Sequence, residues 1–226
     1  MDANVKTDRF VGVDVQVSRG CPYAVLDSDG RSIAAGWLSS RESSVADALH
    51  AVLTQQADGD PRRVVVAIDA PRRPLQARRG WYWRGRRWQP CGPLDRGAGR
   101  HCEVVIAAYK LANPQWTPCR PPYPSWMELG FVLFESLRDR FQAFEVFPSA
   151  SYRMLAKDEE MRIQISVGSL ADGPKDMLDA YIAAATTLEF VQGRGCEVGG
   201  GDGFGSIVLP RRLPEPVSAV LGWPGQ

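Results

Sequence analysis

At 226 residues, with 44% apolar and 23% charged side chains, the chain has the make-up of an ordinary globular protein, able to bury about 70% of its unfolded surface without disulfide staples. No apolar run reaches the roughly 18–20 residues of a membrane helix. The opening MDANVKTDRF lacks the apolar stretch of a secretory signal, and five unevenly spaced cysteines fit a reducing cytoplasm better than a disulfide framework. The formal net charge of +1 conceals an uneven distribution: residues 72–100 carry nine arginines against the single acid Asp95, so local charge bears on partners.

In chain order, residues 10–17 read as a strand, with Gly12 two positions before Asp14; a glycine inside a strand marks a close approach of backbone or ligand. Residues 22–27 form a second strand, Asp29-Gly30 turns the chain, and residues 31–38 return as a third, giving an antiparallel meander. Ser43-Ser44 is expected to cap a helix running to Gln55, with Val45, Leu49, Val52 and Leu53 on one face. The β-branched run 64–68 then reads as a strand covered on both faces, joined by a right-handed helical crossover. Residues 70–100 and 113–124, rich in Pro, Arg, Gly and Trp, are expected to be loops, with a short helix over 102–111 between them. Ser125 and Glu128 stand at capping-box spacing before a helix carrying Met127, Phe131, Phe134 and Leu137. A strand over 141–147 is closed by Pro148. Pro174 opens a last long helix to Gln192, ended by Gly193, and residues 207–209 form a short closing strand. This order, three meandering strands followed by alternating helices and strands, describes an α/β protein: a ribonuclease H-like mixed sheet with helices on both faces. It is expected to be one domain over 1–226, with an Arg/Trp-rich insertion at about 71–100.

Four acids interrupt apolar segments: Asp14 in VGVDVQV, Asp69 after VVVAI, Glu145 in FQAFEVF and Asp179 in MLDAYIAAATTL. A buried unpaired carboxylate costs several kcal/mol or else protonates, so four on regular elements imply a shared counter-charge. Hard divalent ions take oxygen ligands, and two ions roughly 3.5–4 Å apart suit phosphodiester hydrolysis. Asp14, Asp69 and Glu145 would form the strand-borne floor, and Asp179 or Asp176 the helix ligand. Asp172 and Asp176 are equally suited to capping that helix, whereas capping explains nothing at Asp179.

The stretches VGVDV (11–15), AIDAP (67–71), EVFPSASY (145–152) and DMLDAYIAA (176–184), followed by IVLP (207–210), together resemble the family catalogued as domain of unknown function 429. The resemblance spans nearly the whole chain. It implies a predicted nuclease of ribonuclease H-like fold, with Asp14, Asp69, Glu145, Asp176 and Asp179 at the matched acidic positions; the carboxylate pattern itself calls for Mg²⁺ or Mn²⁺. The family's usual His before the helix motif is replaced here by Pro174-Lys175.

Within the basic region, Arg78, Arg79, Trp81, Trp83, Arg84, Arg86, Arg87 and Trp88 combine phosphate-pairing guanidiniums with rings that can stack on bases. Three uses compete for this segment: binding nucleic acid, DNA or RNA; local packing of the tryptophans; and gripping an acidic protein partner through residues 72–100. Cys91, His101, Cys102 and Cys119 match no regular zinc spacing, and GGGDGFG (199–205) lacks the Lys-Ser/Thr of a phosphate loop. The leading expectation is a cytoplasmic metal-dependent nuclease. A non-catalytic nucleic-acid- or protein-binding module on the same fold, and a phosphotransferase, are the alternatives.

Overall fold

The computed structural model describes residues 7–38, 42–156, 158, 162–214 and 219–225. Among these, five strands form a mixed sheet in the order β3-β2-β1-β4-β7. β1 (Arg9–Asp14), β2 (Pro22–Asp27) and β3 (Ser32–Trp37) are the antiparallel meander, and β4 (Val64–Asp69) and β7 (Gln142–Glu145) add parallel to β1. An α/β architecture is therefore present. No helix among the described residues is long and apolar enough to cross a membrane.

Strand alternation assigns each face of the sheet. Val11 and Val13 of β1, with Val64, Val66 and Ile68 of β4, pack under α1 (Glu42–Ala57) and α3 (Ser125–Leu137) through Leu49, Leu53, Leu129 and Leu133. Phe10, Ala24, Leu26 and Val65 face the opposite way, against Met177, Ala180, Tyr181 and Ala184 of α5 (Pro174–Val191). The sheet is thus sandwiched, and α5 crosses β1 very closely. A Cβ built on Gly12 would sit 2.1 Å from the Ala180 carbonyl oxygen and 2.4 Å from the Ala184 nitrogen. The glycine in β1 is there for helix backbone.

Several local expectations need correcting. β1 ends at Asp14, three residues early. α3 has Pro124 as its N-cap with no side-chain cap bond, so Ser125 is the first helical residue and the expected capping box is not formed. The side chains of Ser43 and Ser44 lie outside the described set. Pro148 opens a further helix, α4 (Pro148–Leu155), instead of only closing β7; proline suits a first helical turn, where its missing N–H has no partner to lose. α2 is shorter than expected (His101–Ala108), and α5 begins with Pro174 as foreseen. β9 (Ser206–Leu209) pairs antiparallel with β8 (Cys196–Gly199), and reaches the main sheet through a parallel bridge between Val146 and Val208.

The largest correction lies in the basic segment. β5 (Trp81–Arg84) and β6 (Arg87–Pro90) form a hairpin where a loop was expected. Its two turn residues, Gly85 and Arg86, both have positive φ, at 59° and 61°, the requirement of the two-residue turn whose twist matches the strands.

Candidate active site at the carboxyl end of the sheet

β1 and β4 run in register, so that Asp14 and Asp69 are partners at the last rung of the ladder. By alternation both share the face of Phe10 and Val65, the face that α5 covers. The first turns of α5 lie over the carboxyl ends of these strands, where ligands of open α/β sheets characteristically bind. Asp179 projects into this corner and is 8% exposed.

Asp14 and Asp69 feel the carboxylates around them. Burial first, then Asp179 and Asp176, push Asp14 up to about 7, against Lys175 and a hydrogen bond donated by Gln16 Nε2 to Asp14 Oδ2 at 3.2 Å. Asp69 is raised well above the ordinary carboxylate range by burial, then by Asp14, Asp179 and Glu145. Tyr152, at the margin, has its phenol raised by burial and then by Asp179. Among the described residues, the positive charge within the cluster is Lys175, whose Nζ lies 2.5 Å from Asp179 Oδ2 while its side chain is 78% exposed. Asp179 Oδ1 is buried and meets no partner of good hydrogen-bond geometry, although the Tyr152 phenol interacts with the same carboxylate. Asp176 is further out, paired with Arg19 at 2.5 Å.

Glu145 stands apart, for a reason of parity. Its ladder partner is Ile68, not Asp69, and Ile68 faces α1 and α3. Glu145 therefore leaves the sheet on the face opposite Asp14 and Asp69. There its two oxygens accept from Arg100 Nη1 and Nη2 at 2.6 and 2.5 Å, and from the Arg72 backbone N–H at 3.0 Å. Arg100 is shared with Glu103 (Nε to Oε1, 2.9 Å), which in turn accepts from the Thr117 hydroxyl and backbone N–H. Arg100, Glu103 and Glu145 are each at most 3% exposed. A buried arginine held between two carboxylates is a closed arrangement. The floor expected from three strand acids is thus two aspartates, with the glutamate tied elsewhere.

A cavity of about 380 Å³ opens between these two groups, with Asp69, Glu145 and Arg100 in its walls beside Val15, Trp126 and Phe147. Asp69 therefore borders both the carboxylate cluster and a mostly apolar pocket.

Of the expected nucleic-acid contacts, Trp83 and Trp88 are packed inward. They are cross-strand partners with ring centroids 5.3 Å apart, and Trp88 lies 5.0 Å from Trp223 and 5.7 Å from His101. The Trp88 indole N–H donates to the Ala219 carbonyl at 3.2 Å. His101 Nδ1 accepts from the Gly201 N–H, which leaves Nε2–H to donate to the Val220 carbonyl. Trp81 is half-buried, whereas Arg78, Arg84, Arg86 and Arg87 are exposed. The local-packing use of Trp83 and Trp88 is the one observed.

Whether the acids fit a divalent ion can be judged from their own atoms. The unpartnered Asp179 Oδ1 and the Asp14 and Asp69 carboxyls, raised first by burial and then by neighbouring carboxylates, are oxygen donors of the kind a hard cation takes. Among the described residues, however, no three His, Cys, Asp or Glu side chains already form a group that could hold one. Comparison with protein-family models, curated proteins and solved structures finds no match to the chain.

Proposed function

We propose that the chain is a divalent-metal-dependent nuclease on a ribonuclease H-like sheet, of the kind the resemblance to the domain of unknown function 429 family implies. The observation that carries this reading is the in-register pair Asp14–Asp69 at the carboxyl ends of adjacent parallel strands, faced by a buried Asp179 with one unpartnered oxygen. The strand order supports the fold assignment, since an antiparallel meander extended by parallel strands is the ribonuclease H-like arrangement. Asp14, Asp69 and Asp179 would hold Mg²⁺ or Mn²⁺, with Asp176 available at the rim. When bound, such an ion supplies charge stabilisation at phosphate oxygens and a water nucleophile at neutral pH.

The chain's own residues have definable tasks in this scheme. Asp14, titrating near 7, can take up a proton at neutral pH, and Gln16 fixes one of its oxygens. Lys175 neutralises Asp179 and lies on an exposed stem, so it can give way to an incoming cation. Glu145 acts at one remove: its pairing with Arg100 and the Arg72 backbone sets the wall of the cavity beside Asp69. The apolar part of that cavity, Trp126 and Phe147, would accommodate a sugar or base next to the scissile phosphate.

A second reading, a binding module that has kept the fold without cleavage, draws on the same two features that depart from the expected pattern. Lys175 already supplies a counter-charge, and Glu145 is committed to Arg100. One experiment separates them. Purified protein and its Asp14→Asn variant are titrated with Mg²⁺ and Mn²⁺ against single-stranded, duplex and hybrid substrates. Metal-dependent cleavage by the parent and its loss in the variant is the expected result; equal cleavage by both removes the nuclease assignment, and binding without cleavage favours the module.

A further inference from the structure

A second cavity, of about 580 Å³, is lined by Arg79, Arg96, Arg120, Trp116 and Tyr82. Residues 114–118 divide the two: Pro114 and Gln115 face the cavity beside Asp69, and Trp116 and Pro118 face the other. Thr117 between them is pinned to Glu103 by its backbone N–H and its hydroxyl, so the partition is tied into the buried Arg100 network.

The second cavity is positively charged and under-satisfied. Arg79 Nε and Nη1 are buried and meet no partner of good hydrogen-bond geometry; the polar group beside the guanidinium is the weakly accepting Cys91 thiol, which also lines the cavity. Its guanidinium is held in place by stacking on the Trp116 ring, 5.2 Å from centroid to charge, and by the backbone bond from the Arg79 N–H to the Gly97 carbonyl at 2.8 Å. The single acid in the lining, Asp95, accepts from the Gly92 N–H of its own turn at 2.5 Å. Three arginines therefore face one occupied carboxylate. A buried donor left without an acceptor costs the full desolvation of that group, and a fork of guanidinium N–H groups matches the oxygens of a phosphate. Trp116, 39% exposed, offers a ring face of the sort that stacks on bases.

We propose that this cavity is a phosphate-ester site in which Arg79 receives a backbone phosphate of single-stranded nucleic acid, one partition away from the acid cluster. The proposal rests on the nuclease reading for the identity of the strand, and it moves recognition from the hairpin tryptophans to Arg79, Arg96, Arg120 and Trp116.

Binding of a short fluorescein-labelled single-stranded oligonucleotide of mixed sequence, measured by anisotropy in EDTA, tests it without any cleavage. Arg79→Met should weaken binding at least about ten-fold, the scale of a lost charge-assisted hydrogen bond, and leave the thermal midpoint unchanged or higher, because an unsatisfied charge has been removed. The exposed pair Arg96→Gln/Arg120→Gln should weaken binding and flatten its salt dependence, and serves if Arg79→Met does not fold. Inorganic phosphate and a mononucleotide, added as competitors, show whether phosphate alone or phosphate with a base is recognised; competition by either supports the site. Parent-like binding by the folded variants, or no binding by the parent, overturns it. A parallel cleavage assay with Mn²⁺ keeps the two readings separate. Variant-sensitive binding without cleavage removes the nuclease and retains the site; cleavage with variant-insensitive binding does the reverse.

Discussion

Arg100, Glu103 and Glu145 bury their charges and pair them, whereas Asp14, Asp69 and Asp179 gather like charges around the exposed ammonium of Lys175. Both groups sit at the carboxyl end of the same sheet, on opposite faces, and Asp69 and Glu145 share a cavity wall. In the first, every carboxylate oxygen has a donor. In the second, Asp179 Oδ1 has none of good geometry; burial raises Asp14, Asp69 and Glu145 alike, but Arg100 opposes the rise at Glu145 while like charges add to it at Asp14 and Asp69. Closed networks hold structure; an open one leaves carboxylate oxygens available as ligands. This contrast separates the architectural acids from the candidate chemical ones more cleanly than burial does.

The comparison breaks most visibly at Arg100. Arg100→Met strands two buried glutamates, and a loss of about 3–5 kcal/mol is expected, read by denaturant unfolding; a loss below about 1 kcal/mol would mean the network is not closed. Asp14→Asn should act the opposite way. In the folded protein Asp14 takes its proton near 7, in the unfolded chain near the ordinary value of about 3.9. The folded state therefore holds the extra proton across that window. Its contribution to stability is complete below about pH 4 and is lost as pH rises to about 7. Without divalent ions, Asp14→Asn should remove this fall and be more stable than the parent by a few kcal/mol at pH 8, measured as unfolding midpoints across pH. A steeper fall in the variant would place the proton elsewhere.

Gly12→Ala sharpens the geometry. The added Cβ meets helix backbone, so α5 must shift, at a cost of about 1–3 kcal/mol. With Asp179 displaced, the Asp14 titration, followed by carboxyl NMR, should move back toward the ordinary carboxylate range. Lys175→Met has the smallest expected effect on stability, below about 1 kcal/mol for so exposed a partner. Because Lys175 opposes the upward shift of Asp14 and Asp69, the same spectra should show Asp14 titrating higher.

Much of this was readable before any coordinates. Asp14 and Asp69 end apolar β-branched runs, Gly12 marks a close contact within β1, and Asp179 breaks an otherwise apolar helix pattern; all three signals are local. Glu145 was legible as a buried acid but not as a separate one. Its face depends on the β4–β7 register, which pairs it with Ile68, and its partner Arg100 is 45 residues away. The hairpin was hidden by composition. Arg and Gly suggested a loop, although the alternation Trp81, Tyr82, Trp83 has the strand period and Trp88 pairs across to Trp83. The strand period inside this basic segment is the feature that marks the hairpin.

The central claim, an acid corner awaiting a cation, is tested most directly by the thermal unfolding of the protein at pH 8 with and without Mn²⁺. A ligand that binds only the folded state raises the midpoint, by an amount that grows with the logarithm of its concentration above Kd. The account predicts a rise in the parent protein that disappears in Asp14→Asn and in Asp179→Asn and persists in Glu145→Gln wherever that variant folds. No rise in the parent, or the same rise in all four proteins, would contradict it.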